Sequence, residues 1–121
     1  MRTKLVKVHR DMTELEILES KDRMQSVIDM CGGRLELVHI VNTTLSQLGF
    51  TEEKLTGQEI SNCLHRSRTS PQIAIRIERA LQTKGDDYKR FTRYYFCPDM
   101  TDPQFDRVEA SMKFDKDNAA A

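Results

Sequence analysis

Nowhere in its 121 residues does the chain hold the roughly 18 to 20 consecutive apolar side chains that span a bilayer, and residues 1–8 are too short an apolar run for a secretory signal. The expectation is a cytoplasmic protein with no membrane partner. Cysteine is scarce: Cys31, Cys63 and Cys97 are odd in number and more than 30 residues apart, so they form neither a disulfide framework nor a C-x-x-C metal pattern. His9, His39 and His65 are equally scattered. Buried free thiols and incidental histidines are expected, with no metal and no cofactor. Also missing are a Gly-rich phosphate cradle, a nucleophile elbow and a paired His-Glu metal spacing, which argues against an enzyme. Asp99, Asp102 and Asp106 are grouped, but a helix cap and solvated acids explain them. There is no internal repeat and no low-complexity linker.

What is present describes one domain over residues 1–121, with 38% hydrophobic and 31% charged residues. Formal net charge is zero, yet it is unevenly distributed. Residues 1–61 carry 8 Lys+Arg against 10 Asp+Glu, residues 62–95 carry 8 against 3, and residues 96–121 carry 3 against 6. The middle segment therefore holds a net of +5, with aromatic residues interleaved among the bases. A local basic footprint is what phosphate binding needs, because screening makes distant charge nearly irrelevant. A solvated basic face is the plainer alternative.

Residues 4–8 lean toward strand. Thr13 and Glu16 form a capping-box pattern opening a helix that runs to about Met30, where Gly32-Gly33 stops it. Leu37, Val38, Val41, Leu45 and Leu48 define one face of a second helix, with Gly49 as its stop. Thr56 and Glu59 make another capping box before a short helix whose Ile60, Cys63 and Leu64 face inward. Ser70-Pro71 opens a fourth helix, a capping hydroxyl followed by proline at the first helical position, with Ile73, Ile77, Ala80 and Leu81 on its inner side. Residues 88–96 alternate as a strand, with Tyr88, Arg90, Thr92, Tyr94 and Phe96 on one face. Asp102-Pro103 caps a last helix carrying Phe105, Val108 and Met112.

The order helix, polar turn, helix, aromatic basic ribbon, with Thr56-x-x-Glu59-Ile60-Ser61-x-x-Leu64 in the first helix, resembles the winged helix-turn-helix DNA-binding family. The resemblance implies a mainly α fold with a small β-ribbon (α+β), having extra N-terminal and C-terminal helices. Residues 1–33 would form a dimerisation element, residues 34–98 the winged core and residues 99–121 a C-terminal helix and tail. It implies a sequence-specific binder of double-stranded DNA, a transcriptional regulator acting as a homodimer, with the helix after Ser70 in the major groove. That helix would present Gln72, Ile75, Arg76 and Arg79 to the bases; Arg66, Ser67, Arg68, Thr69 and Ser70 would meet phosphates or flank the groove, and Lys89, Arg90 and Arg93 would form the wing. Ser61 would be the small residue at the helix crossing.

A second set of residues resembles another family. Val41-Asn42, followed by Gly49-Phe50-Thr51-Glu52-Glu53-Lys54-Leu55-Thr56-Gly57, is similar to the early signature of PAS sensor domains. That resemblance implies a sensory or protein-interaction role, and a strand ending at Asn42.

Overall fold

The computed structural model describes residues 14–112, with side chains from residue 22 onward. Within it the chain forms α1 (Glu14–Cys31), α2 (Arg34–Gln47), α3 (Gly57–Arg66), α4 (Pro71–Leu81), a 3-10 turn (Asp86–Tyr88), α5 (Arg93–Phe96) and α6 (Asp102–Ala110). No strand occurs among the described residues. The expected β-ribbon is therefore a correction: the described residues are all-helical in their regular structure, and no wing is present in residues 88–96. The β-leaning residues 4–8 and the capping box at Thr13 lie outside the described residues.

Helix ends follow local chemistry. At the end of α2 the Phe50 amide donates to the Leu45 carbonyl at 2.8 Å, and Gly49 supplies the φ of 95° that lets the chain turn back and bury Phe50. Thr56 and Glu59 form the expected reciprocal box: the Glu59 amide donates to Thr56 Oγ1 at 3.1 Å and the Thr56 amide to Glu59 Oε1 at 2.9 Å. Ser70 does precede Pro71 at the start of α4, but its hydroxyl makes no cap bond. The cap of α6 lies one residue earlier than expected, at Thr101, whose amide donates to Gln104 Oε1 at 2.7 Å. Asp102 instead accepts the Tyr94 hydroxyl.

α4 is the central element, packed against α2, α5 and α6, while α1 lies across α2, α3 and α5. Ile73, Ala74, Ile75, Ile77, Ala80 and Leu81 of α4 are all buried. They meet Met24 and Val27 of α1, Leu37, Val41 and Leu45 of α2, and the rings of Phe91, Phe96 and Phe105 in one continuous core. α6 closes that core; it is not an appendage beyond a winged unit.

Residues 88–96 fail to form a strand for a physical reason. A lone ribbon has no partner to accept its backbone hydrogen bonds, and the described chain offers none. Helical geometry satisfies those groups locally. The Thr92 hydroxyl accepts the Tyr95 amide at 3.2 Å, and the Glu78 carboxylate accepts the Arg93 amide at 3.0 Å. Phe91 and Phe96, which a strand would send to opposite faces, are both buried, with ring centroids 6.3 Å apart. The Val41-Asn42 pair likewise lies inside α2, not at a strand end. Asn42 holds the loop instead, donating to the Leu55 carbonyl at 2.8 Å and accepting the Leu55 amide at 2.7 Å.

Candidate nucleic-acid interface

The arginines expected to meet DNA are mostly engaged with acids distant in sequence. Arg76 donates from Nε to Glu53 at 3.0 Å and from Nη1 to Glu59 at 3.2 Å. Arg79 bonds Glu109 through Nε at 2.9 Å, with its guanidinium 5.3 Å from the Phe50 ring centroid. Arg93 bonds Glu78 at 2.6 Å and Glu109 at 3.0 Å. Arg68 pairs at 2.7 Å with Asp99, whose side chain is fully buried. Four of the eight basic residues in segment 62–95 are thus neutralised from outside or within it. The +5 of the sequence is not a +5 surface.

Position corrects the rest of the α4 assignment. Ile75, expected to touch a base, is 0% exposed. Gln72 is exposed, but it stands on a helix enclosed by three others. Thr69 is buried, and its carbonyl accepts the Cys97 thiol. Ser67 ends α3 in the left-handed conformation, φ 54°, and Ser70 is half-buried at the start of α4. Lys89 folds back to the Gln82 carbonyl at 3.0 Å, and Arg90 lies 4.6 Å from the Phe91 ring centroid and 3.3 Å from the Ser26 hydroxyl. With no wing, Lys89, Arg90 and Arg93 do not form a ribbon beside α4.

α3 has the opposite character. Its inner side buries Ile60 and Cys63, with Leu64 half-buried beside them. The helical period puts Ser61, His65, Gln58, Asn62 and Arg66 in sequence around its outer side. These side chains are exposed or half-buried, and none is a carboxylate. Glu59, the helix's own acid, is drawn aside: one oxygen takes the Thr56 amide and the other the Arg76 guanidinium. Gln58 Nε2 donates to Asn62 Oδ1 at 3.0 Å, linking two side chains one turn apart. Arg34, from the first turn of α2, donates to the Ser61 hydroxyl at 2.7 Å and adds positive charge to this side. Ser61 therefore faces outward and not a crossing with α4.

The surroundings hold α3 firmly. It packs against α1 and α2, and the loop before it is anchored by Asn42 and by Glu53, which is buried against Arg76. Beyond its C-terminal end a groove of about 470 Å³ is lined by Arg66, Arg68, Ser70 and Pro71. Arg66 is exposed and has no carboxylate partner among the described residues. Behind the helix, burial pushes the Cys63 thiol up and, with the nearby Asp99 charge, pushes Cys97 up to about 12. Both are buried in the core.

No group of His, Cys, Asp and Glu suited to a metal ion occurs among the described residues, and no helix there is long and apolar enough to cross a membrane. No family model, curated protein or solved structure matches the chain. Function has to be read from the geometry of the molecule itself. The α3 surface was written in the sequence at Gln58, Ser61, Asn62 and His65. Reading α3 as the bracing helix obscured it, because the packing of α2, α5 and α6 around α4 leaves no trace in local periodicity.

Proposed function

We propose that the chain binds duplex DNA with sequence preference, α3 lying in the major groove and α2 bracing it. The observation that carries this reading is the outer side of α3: five polar or basic side chains, no carboxylate, on a capped and tightly anchored helix. A major groove accepts one helix with its side chains, and carboxamides, hydroxyls and guanidinium groups are what read base edges there. Arg66, at the end of the helix, suits a backbone phosphate, and Arg34 adds charge on the α2 side. Transcriptional regulation and pairing of two copies belong to the same proposal. A single short helix spans only a few base pairs, and two copies related by a two-fold axis read two half-sites.

Electrophoretic shift with pooled genomic duplex fragments tests the reading. Salt-sensitive binding is expected, and Arg66→Ala is expected to weaken binding to all sequences and to flatten the dependence of log K on log salt by about one. Absence of retention at low salt would overturn it.

A further inference from the structure

The linked carboxamides of α3 carry a more specific chemistry, one that rests on the α3 reading. Gln58 and Asn62 are four residues apart on the outer side of the helix, joined by a 3.0 Å hydrogen bond from Gln58 Nε2 to Asn62 Oδ1. That bond uses one donor and one acceptor of the pair. It leaves the Gln58 carbonyl oxygen as an acceptor and the Asn62 amide as a donor. Exchanging the two ends of both amides leaves the same complement, an acceptor on one residue and a donor on the other. The bond also restrains two side chains that would otherwise have to be ordered on binding.

We infer that the Gln58–Asn62 pair reads adenine in the major groove, the carbonyl oxygen of one side chain accepting from adenine N6–H and the amide of the other donating to N7. Of the four base edges only adenine sets one donor beside one acceptor. Guanine presents two acceptors, cytosine a donor and thymine an acceptor beside its methyl group. Arg34 and Arg66 flank the pair with positive charge, and the acid of the helix, Glu59, is held away by Thr56 and Arg76. A carboxylate here would have favoured cytosine; its removal from the outer side is consistent with adenine.

The experiment selects bound sequences from random duplexes with the full chain, then measures affinity after changing single atoms in the selected site. An adenine is expected at a fixed position. Replacing its N7 by carbon, or adding a methyl group to N6, is expected to weaken binding about 5- to 50-fold, with little effect at other adenines in the site. Asn62→Ala and Gln58→Ala should each relax the preference at that position, with unchanged thermal unfolding. A selected site that lacks a fixed adenine, or that is insensitive to loss of N7, would overturn the inference while leaving DNA binding by α3 intact. No binding to any duplex would overturn both.

Discussion

Arg76, Arg79 and Arg93 have the composition of a DNA-contacting set and the surroundings of a structural one. Each is less than one-third exposed and meets a carboxylate from another part of the chain. Glu109 is the shared partner of two of them. Burial pushes its carboxyl up, but the hydrogen bonds and charges of Arg93 and Arg79 outweigh this and hold it below the usual carboxylate range. A carboxyl with a depressed folded value contributes stability that is fully present above its unfolded value of 4.5 and is lost as pH falls from there through the folded value. Glu109→Gln would leave two half-buried guanidinium groups short of a counter-charge. It is expected to cost about 2 to 3 kcal/mol in urea unfolding at neutral pH, less than a fully buried pair because water still reaches the network. The difference from the parent should shrink toward pH 3; a constant difference across that range would show that charge is not the cause.

At the scale of elements, the aromatic segment after Gly85 is where local pattern and tertiary demand part. Alternation over residues 88–96 suits a strand, yet the two phenylalanines have to reach the same core, and the irregular stretch before α5 together with α5 itself brings both there. Phe91→Ala is therefore expected to destabilise the protein by about 3 to 5 kcal/mol, the range for emptying a buried ring site, while Tyr94→Ala on the exposed side costs much less. Comparable losses at the two positions in chemical unfolding would favour a strand with both faces covered. Elsewhere the helices could be read in advance because their signals are local. Thr56 and Glu59 box the start of α3, Gly49 ends α2, and Pro71 opens α4. Of the site proposed on α3, the sequence reading included Arg66, as a residue flanking the groove; it left out Gln58 and Asn62 because α3 was assigned to bracing. Ile75 was placed outward because one face of α4 satisfied the helical period. Enclosure of a helix by α2, α5 and α6 is a property of the assembled fold, which no window of sequence contains.

For the whole molecule, charge shows the same dependence on assembly. Segment 62–95 is basic as a string of residues, but acids at positions 53, 59, 99 and 109 come through space to four of its arginines. Arg34 and Arg66 lie beside the outer side of α3, the surface proposed to meet DNA. The central claim is that α3, not α4, meets DNA. It is tested most directly by the affinity of two variants for a duplex selected with the parent protein: one with Gln58, Asn62 and Arg66 all changed to Ala, the other with Gln72 changed to Ala. Both sets lie on exposed or half-buried positions, so both variants should unfold at the temperature of the parent. The account predicts that the α3 variant loses sequence-selective binding, at least 100-fold as an order-of-magnitude figure, while Gln72→Ala stays within about twofold. Selective binding that survives the α3 changes and falls with Gln72→Ala would contradict it.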